Sequence, residues 1–292
     1  MGSIKQDLHS EFKLSDTSMR IILVCTALLI GINVVLLSIT KLEHSGLLEH
    51  YALYLAASSD PWYMLTHPWT LFTHMFTHIE FDHWLWNMVG LLFSGRLFSH
   101  FLGSKSMLTT YLVGALGGYA LFFIAFNLLP IYDNEVTVIG ASAAIMAVLL
   151  GIATYAPNYE VSIWGIFNIR LKYLAALYVI FDIVSIRYFG NTGGHIAHLG
   201  GALYGFILAR YLREGTNIQR IPEKWIGRLF FGERPVRMKV VSTKKARTDE
   251  EFNADKLKNA KRVDALLDKI SRGGYDSLTK EEKEFLFKQS QK

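Results

Sequence analysis

The stretch Val138-Ile-Gly-Ala-Ser142-Ala-Ala-Ile-Met-Ala-Val-Leu-Leu-Gly151 sets a single hydroxyl into an otherwise apolar run. Ser142 is the only polar side chain between Thr137 and Thr154. A serine in an apolar helix commonly bonds back to a carbonyl one turn earlier, and then it serves packing alone. The chemical alternative is a nucleophile, which needs a base and oxyanion-stabilising donors from other parts of the chain. Whether the chain supplies them decides what this stretch is for.

The bulk of the sequence points to a membrane. Of 292 residues, 51% are hydrophobic and only 19% charged, and the mean hydropathy is +0.24. The charge is uneven: Arg213–Lys292 holds 20 Lys and Arg against 13 Asp and Glu, while the preceding residues hold 10 against 12. This reads as an apolar domain followed by a basic soluble tail, whose natural counterpart is an anionic leaflet before nucleic acid. Cys25 is the only cysteine, which excludes an intramolecular disulfide, a Cys-x-x-Cys zinc site and a thiol dyad.

Six hydrophobic segments follow one another, at roughly 20–40, 83–102, 107–129, 138–156, 171–189 and 195–212. Most approach the ~20 residues a helix needs to cross a bilayer core of about 30 Å. Helices are expected because lipid offers no partner for backbone donors, and no alternation suggests a barrel. The first run is longer than a signal-peptide core and lacks a small-residue cleavage site, so it reads as a retained span. Lys5, Lys13, Arg20, Arg96, Lys105, Arg170 and Lys172 fall in alternate connections, with only Lys41 and Arg187 on the other side. That bias predicts both termini in the cytoplasm. The long first connection, 41–82, carries Tyr51, Tyr54, Trp62, Tyr63, Trp69, Phe72 and Phe76. These aromatics favour the interface, so short helical turns lying partly in the outer leaflet are expected.

Polar groups inside the segments are few. His83 and Asn87 are four apart and share a helix face; they can donate to an anionic oxygen or simply pair for packing. His74 and His78 are also four apart, but no H-E-x-x-H accompanies them, so no metal or other cofactor is expected. Asp182 in the fifth segment is expensive in lipid and should face protein or water, or be protonated; a gating or regulatory role is the alternative to a merely paired acid. In the sixth, Ala197, Gly201 and Gly205 repeat at spacing four and admit a neighbouring backbone, as do Ala143, Ala147 and Gly151 in the fourth. His198 stands above that glycine groove and is a candidate base for Ser142, with His195 the weaker one.

These residues together resemble the rhomboid intramembrane serine proteases. The matches are Gly140-Ala-Ser142-Ala, Ala197-His198-x-x-Gly201-x-x-x-Gly205 and His83-x-x-x-Asn87, in the family's order on the second, fourth and sixth segments. Pro68-Trp69, Phe72-Thr-His74 and His78 are similar to its first-loop signature. The resemblance covers roughly 20–212. It implies an all-α membrane protein, a six-transmembrane-helix bundle in a bacterial-type inner membrane. It also implies Ser142 as nucleophile, His198 as general base, and an oxyanion hole from His83, Asn87 and the Ser142 amide. Gly140, Ala143, Met146, Gly201 and Gly205 would support the site. An ionised third residue would be costly there, so packing rather than a carboxylate is expected to orient His198. The implied substrates are transmembrane helices of other proteins, cut near their outer end and admitted between the second and fifth spans. Three positions depart from the common pattern: Ala143 for glycine, Thr70 for arginine and Met146 for tyrosine. The rival readings are a catalytically silent relative that binds membrane clients and, more distantly, a transporter.

The expected domains are a cytoplasmic arm 1–19, the membrane domain 20–212, a basic linker 213–247 and a small helical module 248–292. Within 218–247, Trp225, Phe230 and Phe231 suggest a membrane-surface segment or a plain linker. In the module, Val263, Leu266, Leu267 and Ile270 share one helix side, Gly273-Gly274 ends that helix, and Ser277-Leu-Thr279-Lys-Glu-Glu282 opens another with a capping box. Docking of a partner or regulator is the expectation for this hairpin.

Overall fold

The computed structural model describes residues 16–40, 54–129, 136–163, 167–188, 190–232 and 249–290. Most of the N-terminal arm, Tyr51 of the first connection and the linker from 233 onward lie outside the described residues. The chain divides into two units, 1–234 and 235–292.

In the first unit the order is α1 (Thr17–Thr40), β1 (Ala57–Ser58), α2 (Pro61–Thr66), α3 (Thr70–Thr73), α4 (Phe81–Leu102) and α5 (Ser104–Leu128). There follow β2 (Thr137–Val138), α6 (Ser142–Tyr155), β3 (Glu160–Ile163), β4 (Phe167–Arg170), α7 (Leu171–Tyr188), α8 (Thr192–Arg213) and α9 (Arg220–Phe230). Six helices fall on the six hydrophobic segments. Among the described residues, two are both long and apolar enough to cross a membrane, Thr17–Val34 within α1 and Ser104–Leu128. The others are diluted by polar groups or, like α6, are short. Large apolar side chains nevertheless face outward, among them Val89, Ile124, Ile180, Ile183, Leu203 and Phe206.

The fourth segment differs from its expected bounds. Helix α6 begins at Ser142, whereas Thr137 and Val138 pair antiparallel with Ser58 and Ala57. Gly140 then turns the chain with φ +115°, a left-handed value that glycine alone adopts without strain. At 14 residues, α6 is ~21 Å long, too short for a bilayer core of about 30 Å.

Helix α6 is the central one, touching α4, α5, α7 and α8. It is buried over nearly its whole length. Its closest partner is α8. A Cβ on Gly201 would run into the carbonyl oxygen of Ala143, and one on Gly205 into that of Ala147. On the third side, a Cβ on Gly118 of α5 would stand 2.6 Å from the Ala197 oxygen and 2.7 Å from the Ala143 Cβ. The small residues therefore set the distance between three helices, and any larger side chain forces them apart.

The described part of the first connection folds back over this core. Trp69 Nε1 donates to the Tyr54 carbonyl at 2.9 Å and Thr73 Oγ1 to that of Leu55 at 2.9 Å. Tyr119 and Asn127 of α5 donate to the carbonyls of Ser58 and Ser59 at 3.1 and 2.8 Å. Thr70, in place of the common arginine, is buried and donates to the His67 carbonyl at 2.7 Å.

The second unit is a helical hairpin, α10 (Asp249–Gly273), a 3-10 turn Tyr275–Ser277 and α11 (Lys280–Ser290). Its capping box is reciprocal: Thr279 N–H donates to Glu282 Oε2 at 2.8 Å, and Glu282 N–H to Thr279 Oγ1 at 3.3 Å. Leu266 and Leu278 are buried, but Leu267, placed on the apolar side by periodicity, is exposed. A hairpin has room for one narrow seam, and Leu267 lies beyond its edge.

The tight α6–α8 contact predicts that Gly205→Val costs at least ~1–3 kcal/mol through overpacking. Thermal unfolding in detergent should show the loss, whereas Gly31→Ala, at an open position on α1, should shift the midpoint far less.

Candidate active site

The site forms where three helix starts converge. The Gly140 turn is held from outside: Gly140 N–H donates to the His74 carbonyl at 2.8 Å and Ala141 N–H to His78 Nε2 at 3.2 Å. His74 Nδ1–H in turn donates to the Thr70 carbonyl at 2.8 Å. The absent Cβ of Gly140 makes room for the His83 ring, whose Cε1 and Nε2 would stand 2.6 and 2.7 Å from it. Ser142 is thus delivered at the first position of α6. There the backbone N–H groups have no partner within the helix and the macrodipole favours negative charge.

His198, in the second turn of α8, places Nε2 2.6 Å from Ser142 Oγ. Its Nδ1 lies 2.8 Å from Asp182 Oδ1 of α7, and His195 Nδ1 lies 2.8 Å from the same oxygen. Asp182 is 3% exposed, so two N–H donors on one oxygen are the means by which a carboxylate is tolerated at that depth. This overturns the expectation that packing alone orients His198. A carboxylate accepting from Nδ1–H fixes the tautomer that leaves Nε2 free to accept the serine proton. Asp182 therefore sits on the His198 imidazole itself, a nearer position to Ser142 than a gate. Asp182 Oδ2 is buried without a partner.

The third start is α4. His83, Asn87, Ser142, Met146, Asp182, His195 and His198 all line one cavity of ≈ 740 Å³. Asn87 Nδ2 donates one hydrogen to the His83 carbonyl at 2.8 Å, which orients the amide and leaves its second hydrogen for another acceptor. Trp86 and Phe93 of α4 and Leu174, Tyr178 and Phe181 of α7 complete opposite walls. Met146 is buried against Leu149, Ala202, Phe93 and Val179, so the thioether fills the place between α6, α8 and the two walls. Gly140, Ala143, Gly201 and Gly205 set backbone distances and offer no reacting group.

Asp182, His195 and His198 also bring one metal-ligating atom each within 4.8 Å of one another, and a cation could be held there. His74 and His78, the pair weighed in the sequence, point elsewhere, one to a carbonyl and the other to an amide. Two contributions were missed in the sequence: His195 as the second donor to Asp182, and His78 as the acceptor that pins Ala141.

The chain's Rhomboid-domain match covers residues 65–215, and residues 247–292 match a family of unknown function, DUF6576. Among curated proteins, it is similar to RHOMBOID-like protein 12, mitochondrial, of Arabidopsis thaliana, at 29% identity over 157 residues, half of this chain and 47% of that one. It is also similar to Rhomboid-like protease 3 of Toxoplasma gondii, at 29% over 188 residues, 63% of this chain and 65% of that one. The matches thus span between about half and two thirds of the relatives' own lengths.

Burial pushes the imidazoles of His74 and His78 down to about 4. Both stay neutral when folded, while the unfolded chain takes up protons below ~6.5. Stability from this source is complete above that pH and falls as pH drops toward 4, by up to ~1.4 kcal/mol per pH unit for each group. Unfolding midpoints of Ser142→Ala protein in detergent should follow that slope, and His74→Gln should make it shallower.

Proposed function

The chain belongs to the rhomboid family, and from that we propose that it is an intramembrane serine endopeptidase cutting transmembrane helices of other proteins. The observation that carries this reading is the continuous line Ser142–His198–Asp182, with 2.6 and 2.8 Å between reacting atoms. In the proposed arrangement α1, α4, α5, α7 and α8 cross the bilayer, and the shorter α6 runs among them from the Ser142 cavity toward the cytoplasmic side. The ends of α4, α5, α7 and α8 that bear or adjoin Arg96, Lys105, Arg170, Lys172 and Arg213 face the cytoplasm.

Ser142 Oγ attacks the scissile carbonyl carbon while its proton passes to His198 Nε2. Asp182 stabilises the imidazolium that results and keeps its ring in place. The developing oxyanion is received by the N–H at the start of α6 and by the side chains of Asn87 and His83. Each such donor supplies ~2.7–4 kcal/mol of barrier lowering. His198 then returns the proton to the leaving amine, and water from the cavity releases the acyl group by the reverse sequence. Since α6 begins below the bilayer surface, the cavity is the water supply. The walls formed by α4 and α7 meet across it, and a substrate helix entering between them would present a locally unwound segment to Ser142. Helix-weakening residues near the cut should favour cleavage.

Cleavage of a transmembrane reporter in proteoliposomes tests the reading. Ser142→Ala and His198→Ala should abolish cleavage and fluorophosphonate labelling of Ser142. Asp182→Asn should cut kcat by ~10²-fold or more, toward the ~10⁴-fold seen in the Ser-His-Asp template. Asn87→Ala should lose ~10²–10³-fold with labelling retained. Cleavage that survives Ser142→Ala overturns the mechanism, and a wild type that neither cleaves nor labels favours the client-binding relative.

A further inference from the structure

Beyond α8, at the end of the bundle remote from Ser142, α9 is fastened to the membrane domain by one buried side chain. Gln219, 1% exposed, precedes α9 and has its whole amide engaged. Its Oε1 accepts from Thr110 Oγ1 at 3.2 Å and from Tyr204 O–H at 3.1 Å. Its Nε2 donates to Ser106 Oγ at 2.6 Å and to Glu223 Oε1 at 3.0 Å. Glu223 accepts again from Asn217 Nδ2 at 2.9 Å, and Ile226 completes the buried side. A fully satisfied amide between three helices fixes orientation as well as position.

With that side fixed, the rest of the helix surface is determined. Ile218, Ile221, Trp225 and Leu229 form one exposed row, at 41%, 73%, 61% and 75%. Arg220, Lys224 and Arg228 form the adjacent row at spacing four, and the Arg228 guanidinium lies 5.7 Å from the Trp225 ring centre. An exposed aromatic and aliphatic row beside a basic row is what a helix lying in a membrane interface requires, with the apolar row in the acyl boundary and the cations among headgroups. The same end of the bundle carries Lys105, Arg170, Lys172, Arg210 and Arg213, so the favoured leaflet is anionic. We infer that α9 is an in-plane anchor, latched by Gln219, that binds the anionic lipid surface at the end of the domain opposite the Ser142 cavity.

The inference uses the membrane-spanning placement proposed above but not the proteolytic reaction. The experiment is therefore run on full-length Ser142→Ala protein with Cys25→Ser, carrying single nitroxide-labelled cysteines. The protein sits in nanodiscs of phosphatidylcholine with phosphatidylglycerol. Collision with oxygen against collision with aqueous nickel chelate is measured at positions 221, 225 and 229, with 124 on α5 as the lipid-facing control. High oxygen and low nickel access at all three, becoming shallower in phosphatidylcholine alone and in the triple variant Arg220→Gln, Lys224→Gln, Arg228→Gln, is the expected result. Nickel access at 225 with 124 still in lipid overturns the anchor alone, and nickel access at 124 overturns the membrane placement itself. Shielding from both probes at 221, 225 and 229 means that protein covers the row, which also overturns it. Gln219→Leu, which removes the latch, should raise nickel access at 225 without changing the reading at 124.

Discussion

The contact on which the other features depend is the backbone approach between α6 and α8. Gly201 and Gly205 face the carbonyls of Ala143 and Ala147 with no room for a Cβ. Between helices in lipid there is no hydrophobic driving force, so association rests on dispersion contacts and weak Cα–H···O bonds, which need backbones to come close. The same approach carries an imidazole to 2.6 Å from a hydroxyl one helix away. Packing and chemistry thus impose one requirement on the small residues, and a methyl group added at the seam would damage both. The Gly140 turn supplies the complement, since its tethers to His74 and His78 fix where α6 starts.

Asp182 shows how burial changes the merit of a charge. A lone carboxylate at that depth is prohibitive, which is why the sequence argued for an imidazole oriented by packing. The structure gives one carboxylate oxygen two imidazole donors from a single face of α8, three residues apart. Two N–H bonds to an ionised oxygen return much of the lost hydration. His195, one turn before His198, is thus bonded to Asp182 and joined to His198 through a shared carboxylate oxygen.

The family motifs were readable because each lies within one helix, where spacing maps directly onto a face: His83 with Asn87, Ala197 with Gly201 and Gly205, Ala143 with Ala147. What stayed hidden depended on relations between elements. The partner of Asp182 is 16 residues away across a loop, and no periodicity links α7 to α8. The start of α6 was misplaced by four residues because Val138 and Ile139 are as apolar as the helix they precede; only the pairing with Ala57 and Ser58 reveals a strand. Leu267 was misassigned for a related reason, since a helical stripe gives direction without saying how wide the partner surface is. Gln219 is not legible in the sequence, because a single amide next to a basic stretch carries no pattern until Ser106, Thr110 and Tyr204 surround it.

The two ends of the domain answer opposite physical demands, and α8 connects them. At its start, His195 and His198 line the cavity between α4 and α7. At its far end, Tyr204 contributes to the Gln219 latch and Arg210 and Arg213 join the basic rim. A cavity of this size between α4 and α7 weakens that side of the bundle, because each wall gives up contacts that a closed pair would make. Stability must then come from the seams that remain shut, α6 with α8 and α5 with both. A helix fastened across α5 and α8 at the remote end braces those closed seams. The placement of α9 thus reinforces the side of the bundle on which the distance between Ser142 and His198 is set.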